Sequence, residues 1–213
     1  MLGRVGDFAA RDLKRKRLSI RKDGTWHPPA DAWGELTPSL PPAVLPATWQ
    51  GPIGATSRQN SEENHSISVA DAEPVVEEWQ EIRNAFGILE ECFGIDFAPL
   101  GPELVARTAT PFGPALQYRT YGIAGIWLNY YMGLIVAYRA HPTMPPAALM
   151  ASGIAARQTS HFAHAIGCIT AGISPDLSQQ TEVNSSLAAV LIESCLALFV
   201  AGIQVRVSRT VRC

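Results

Sequence analysis

Two long stretches of this chain are apolar and almost free of charge, and they limit what it can fold into. From Tyr121 to Tyr138 there is no Asp, Glu, Lys or Arg, and between Asn184 and Gln204 the only charged residue is Glu193. Neither stretch shows the period-two alternation of a half-buried strand. Each is long enough for about five turns of helix. A helix apolar on every side must be surrounded by other elements or lie in lipid. The first stretch reaches the lower length limit for crossing a bilayer. Against that stand Asn129, three glycines and four tyrosines, and Tyr favours the membrane interface over its centre. A soluble bundle with both helices inside it accounts for the pattern, the last helix being expected at its centre, and no membrane is expected. The low charged fraction, 17% against 47% apolar, agrees with extensive burial.

An amphipathic helix precedes these stretches. Val75, Trp79, Ile82, Phe86, Leu89 and Phe93 step by four and three residues, which puts them on one face. Asp71 is placed to cap its start, Pro74 suits its first turn and Gly94 its end. A short helix is possible over 103–107. A long helix is expected from near Ala115 to Arg139, stopped by His141-Pro142. The next starts at Pro145 and Pro146 and reaches Ile173, packing through Phe162, Ile166, Ile169 and Ile173. Gly153 and Gly167 would let a neighbour approach it closely. Asn184 caps the last helix, which runs to about Gln204. The expected fold is all-α: an incomplete bundle of about four long helices over 71–204. Trp79, Phe86, Trp127, Tyr130, Phe162 and Phe199 are expected in its core.

The N-terminal part differs in kind. Residues 1–24 hold eight Lys/Arg against three Asp, a surplus of five positive charges, so the rest of the chain carries −7 of the total −2. This reads as a basic, disordered arm. Its run Lys14-Arg15-Lys16-Arg17 has the form of a nuclear-import signal or a nucleic-acid tether. Residues 25–70 read as a Pro/Ser-rich linker with seven prolines and no hydrophobic period. Trp26, Trp33 and Trp49 within it are candidates to dock on the body. At the other end, 205–213 abandons the helical pattern.

Searching the chain for chemistry yields little. His161 and His164 share a helix face three residues apart, with Cys168 four further on. A metal site needs a third and fourth ligand, and no carboxylate stands nearby. Helix-surface polarity is the better reading of the pair. Cys92, Cys168, Cys195 and Cys213 form no CxxC. There is no HExxH, no GxSxG, no GxGxxG and no Walker loop. No apolar leader opens the chain. No catalytic, cofactor-binding or metal-binding residue is expected, and the chain is not expected to be an enzyme.

Two segments are distinctive as sequence. One runs Pro111-Phe112-Gly113-Pro114-Ala115-Leu116-Gln117-Tyr118-Arg119-Thr120-Tyr121 into Ile126-Trp127 and Tyr130-Tyr131. The other is Arg139-Ala140-His141-Pro142-Thr143-Met144-Pro145-Pro146-Ala147-Ala148. With Trp79-Gln80-Glu81-Ile82-Arg83, Phe93-Gly94-Ile95 and Phe199-Val200-Ala201-Gly202-Ile203-Gln204, they resemble the C-terminal region of fungal transcription factors of the six-cysteine zinc-cluster family. The resemblance covers about 75–204. It implies a helical regulatory domain acting in RNA polymerase II transcription, in the nucleus, through protein partners or self-association of helices. It implies contact with DNA only indirectly, or weakly through the basic arm. No cysteine precedes Cys92, so zinc is expected only in an N-terminal cluster that this chain lacks. The helical region is accordingly expected to be truncated, and 205–213 to be a tail foreign to the family.

Overall fold

In the computed structural model of the chain, the described residues are 1–18, 69–106, 108–173 and 184–210. They form five helices: α1 (Leu2–Leu18), α2 (Val69–Cys92), α3 (Tyr121–Arg139), α4 (Ala148–Ile173) and α5 (Ser185–Thr210). A 3-10 turn at Ile95–Phe97 and a two-residue antiparallel ladder, β1 (Ala109–Thr110) with β2 (Gly113–Pro114), join α2 to α3. The protein is all-α, as its sequence indicates.

Helix α3 is the axis of the bundle and packs against each of the other four helices. Its Leu128 and Ile135 are wholly buried, as are Ile166 and Ile169 of α4, which lie in the same core. Thr120 caps α3, its hydroxyl accepting from the Ile123 amide at 3.2 Å. The helix starts later than the expected Ala115 because the preceding backbone is bonded elsewhere. The Ala115 amide donates to the Thr108 carbonyl at 2.8 Å, and the Leu116 amide to the Cys168 carbonyl of α4 at 2.9 Å. This ties 115–116 as extended chain across the end of α4. The β1–β2 ladder turns through Gly113, whose φ of 130° suits a residue without a Cβ. With two residues per strand, it is too short to leave an alternating pattern. Gly167 is the close-approach site expected on α4, but what lies over it is the Phe112 ring of this hairpin rather than a helix. The Leu104 and Val105 amides close a turn onto the Gly101 carbonyl, and the described residues of 103–107 form no helix.

Three expectations need correction. The basic N-terminal segment is not an arm over 1–18 but helix α1. Val5, Phe8, Asp12 and Lys16 recur at helical spacing on one buried face, and that face covers α2 and α3. Two surface ion pairs, Arg4–Glu81 at 2.7 Å and Arg11–Glu78 at 2.6 Å, set its basic flank against the acidic flank of α2. Second, the last helix is not central. It packs chiefly on α3 and α4 through Leu187, Val190, Ser194, Ala197, Ala201 and Gln204, a single stripe, and its opposite side is open. Third, α5 does not end at Gln204; it continues to Thr210 through the start of the expected tail. At its start, the Asn184 side chain accepts from the Ser186 amide at 2.7 Å, the cap that the sequence indicates. Helix α2 opens at Val69, so Asp71 and Pro74 lie inside it rather than at its edge. Residues 19–68, with Trp26, Trp33 and Trp49 and almost all of the expected linker, lie outside the described residues.

Candidate functional site

The expected core residues divide. Phe86, Trp127 and Tyr130 are buried. Trp79 and Phe162 are half-buried against the same core. Phe199 is the correction: it is 66% exposed. It stands five positions from both Ser194 and Gln204 on the helix, which turns it well away from the stripe that they help to form.

An aromatic ladder fastens α2, α3 and α4. Trp127 meets Phe93, the residue after α2, at 4.8 Å and Tyr131 at 5.3 Å, and Tyr131 meets Phe162 of α4 at 5.8 Å between ring centres. The Trp127 indole N–H donates to the Phe97 carbonyl at 2.7 Å, so no polar atom of the ring is stranded. The Tyr130 hydroxyl donates to Glu90 at 2.8 Å. Burial, and then that carboxylate, push its pKa well above the ordinary tyrosine value.

The basic run Lys14-Arg15-Lys16-Arg17 is divided by the helix it lies on. Lys14 and Arg17 face water, Arg15 is half-buried and Lys16 is buried. Asp12 takes both inward cations: its Oδ1 accepts from Arg15 at 2.7 Å, and its Oδ2 pairs with Lys16. The Lys16 ammonium also donates to the His141 carbonyl at 2.7 Å, which fastens α1 to the turn after α3. Burial lowers the Lys16 pKa, and Asp12 opposes that shift. The His141 ring lies against Trp79 at 4.3 Å, and its Nδ1 accepts from the Thr143 amide at 3.2 Å. Burial, together with the positive charges of Lys16 and Arg83, pushes its pKa down to about 4. The ring is therefore neutral at physiological pH.

At the end of α3, Arg139 reaches α5. Its Nε and Nη2 donate to the Gln204 side-chain oxygen at 3.1 and 2.6 Å, and Nη2 also donates to the Val200 carbonyl at 2.8 Å. Gln204 in turn donates to the Ser152 carbonyl of α4 at 3.1 Å. Three helices thus meet in one polar knot. Burial lowers the Arg139 pKa to about 10. Beside it, a cleft of about 430 Å³ opens between α1, the end of α3 and the start of α4.

The histidine pair lies on the exposed side of α4. His164 Nδ1 is 2.7 Å from the Ser160 carbonyl, and the His161 ring lies against Phe162. Cys168 is buried beneath the hairpin, its thiol directed to the Phe112 carbonyl at 3.4 Å. Among the described residues, no three His, Cys, Asp or Glu side chains converge as metal ligands would.

The most conspicuous surface is the outer side of α5. Ile192 (74% exposed), Leu196 (58%) and Phe199 recur at four and three residues and form one apolar stripe. Cys195 is exposed on the same helix. The segment Ser185–Val205 is also long and apolar enough to cross a membrane, and 28% of its most apolar window is buried. The sequence shows an apolar helix here but cannot tell which side of it is covered. That depends on how many neighbours the fold supplies.

Fold and surface together define an all-α domain whose α5 exposes an apolar face among the described residues. Searches with the whole chain found no matching protein-family model, no matching curated protein and no matching solved structure.

Proposed function

We propose that this chain is a non-catalytic regulatory domain acting in transcription, which associates through α5 with a helix of a partner protein or of a second copy. The observation that carries the proposal is the Ile192–Leu196–Phe199 stripe, three large apolar side chains exposed in succession along one side of α5. Exposed apolar patches rimmed by polar surface commonly mark interaction sites, and an amphipathic groove-and-helix contact is a recurrent mode of recognition. The transcriptional and nuclear setting rests on the resemblance of 75–204 to the regulatory region of fungal zinc-cluster factors. The division of the basic run on α1 bears on how that run could act. With Lys16 bound to Asp12 and His141, an importin or a nucleic acid would meet chiefly Lys14 and Arg17.

The test tethers the chain to a heterologous DNA-binding module upstream of a reporter gene. A severalfold change in output, lost in Leu196→Lys and Phe199→Lys, is expected. Output indistinguishable from the module alone would overturn the proposal. A reporter protein fused to the whole chain reports localisation; exclusion from the nucleus removes the nuclear part.

A second reading has its own observation: the length and bareness of Ser185–Val205 suit a helix lying on or in a membrane. Against it, Glu193 lies over Gly125 of α3, with its Oε2 3.5 Å from Asn129 Nδ2. Carbonate extraction of expressed protein separates the two. Recovery in the soluble fraction favours the regulatory domain, and retention in the pellet favours the membrane.

A further inference from the structure

We propose that α5 pairs antiparallel with α5 of a second copy of this chain, about a two-fold axis that passes between Cys195 and Leu196. The inference rests on the reading of α5 as an association surface and names its occupant. A two-fold contact between identical helices needs a surface that complements itself, and the exposed side of α5 has that form. Ile192 and Phe199 stand at equal distances on either side of the midpoint between Cys195 and Leu196, and Ala189 and Gly202 stand at equal distances beyond them. All six residues are exposed. At about 3.6 residues per turn, that midpoint lies across the helix from the buried stripe of Val190, Ser194, Ala197 and Ala201. An axis there sets Ile192 of one copy beside Phe199 of the other and brings Leu196 against its own counterpart. Ala189 of one copy comes level with Gly202 of the other at each end, where small residues let two backbones approach. A Cβ at Gly202 would meet nothing within 4 Å. No contact among the described residues therefore requires a glycine there, although glycine inside a helix is unfavourable. A second backbone passing close gives it a use.

Charge selects the same occupant. Between Asn184 and Gln204 only Glu193 is charged, and it turns to α3, its Oε2 3.5 Å from Asn129 Nδ2. The exposed side of α5 thus offers no counter-charge to an acidic or basic helix, whereas a second copy brings no charge that needs one. One helix against one helix falls at the small end of specific interfaces, below roughly 1,200 Å². The pairing is therefore reversible, with a Kd of about 10 µM.

The test is analytical sedimentation of the whole chain from about 1 µM to about 1 mM, with a short bis-maleimide added to parallel samples. The mass should rise from one chain towards two, and mass spectrometry should find Cys195 joined to Cys195. Leu196→Lys and Leu196→Glu, at an exposed position, should each weaken the pairing about tenfold or more, because the axis sets like charges face to face. An equimolar mixture of the two variants should restore it. A monomer throughout the range overturns the proposal, as does self-association that the variants leave unchanged or that their mixture does not restore. Protection of Cys195 in the dilute monomer would place another part of the chain on this face and also overturns it. So does a monomer that floats with phosphatidylcholine vesicles. The reporter assay separates this inference from the reading beneath it. A monomeric chain whose output is still lost in Leu196→Lys overturns the second copy and leaves the association surface standing. A monomeric chain whose output is unchanged by Leu196→Lys removes both.

Discussion

Helices α3 and α5 are both apolar along most of their length, yet their surroundings differ. Helix α3 packs against each of the other four helices, whereas α5 packs chiefly on two and leaves Ile192, Leu196 and Phe199 in water. Apolar composition states that a helix needs cover. It does not state whether the same chain provides it. In α3 the cover comes partly from α1, whose sequence is among the most highly charged in the molecule. In α5 no helix among the described residues covers the side that carries Ile192, Leu196 and Phe199.

Substitutions can break or sharpen this contrast. The largest effect is expected at Trp127 on α3. Trp127→Ala removes a buried ring that touches Phe93, Tyr130 and Tyr131, and should cost about 3–5 kcal/mol in urea unfolding. A cost near zero would show that α3 is not enclosed. Asp12→Ala tests α1 as the added wall. It leaves Lys16 buried without its carboxylate and should cost about 3–5 kcal/mol; wild-type stability in this variant would detach α1 from the fold.

His141 closes the end of α3 and supplies a pH test. Its folded pKa is about 4 against an ordinary 6.5. Between those values the unfolded chain binds more protons than the folded one. Its contribution is therefore complete above pH 6.5 and is lost as pH falls towards 4, by up to about 3 kcal/mol. His141→Gln should remove that component, so that wild type loses more stability than the variant between pH 7 and pH 4.5. Equal losses would place the ring in water. Gly172→Ala is expected to cost about 1–3 kcal/mol or more, because a Cβ there would stand 1.9 Å from the Leu116 carbonyl oxygen. The smallest effect belongs to α5: Phe199→Ser should change stability by no more than about 0.5 kcal/mol. A loss as large as that of Trp127→Ala would mean that the stripe is covered after all.

The existence of α2, α3, α4 and α5 was legible in the sequence, α2 from a period sustained over many turns and the others from long apolar runs bounded by stop and cap signals. The Asn184 cap and the stop at His141-Pro142 were legible for the same kind of local reason. What escaped depended on partners distant in sequence. Helix α1 was hidden by its charge: Val5, Phe8, Leu13 and the intervening Ala9 hold a helical spacing, but Lys14 to Arg17 suggested solvent. Asp12 lies on the buried face between them, the acid that lets Lys16 turn inward, and it was the available signal. Phe199 was misplaced because α5 is apolar all round, and nothing local distinguishes its covered side from its bare one. The late start of α3 follows from the Leu116–Cys168 backbone bond, which links residues 52 apart in sequence. The cleft beside Arg139 was not legible either, since its walls come from four helices.

The contrast between an enclosed interior and a bare α5 is tested most directly by per-site thiol labelling of the native chain, read by mass spectrometry. Cys195 lies on the open side of α5, and Cys168 is buried beneath the hairpin, where burial also raises its pKa. In dilute monomeric protein, Cys195 should react orders of magnitude faster than Cys168. It should become protected when a partner, or a second copy at high concentration, engages α5. A Cys195 as slow as Cys168 in the isolated monomer would contradict the account.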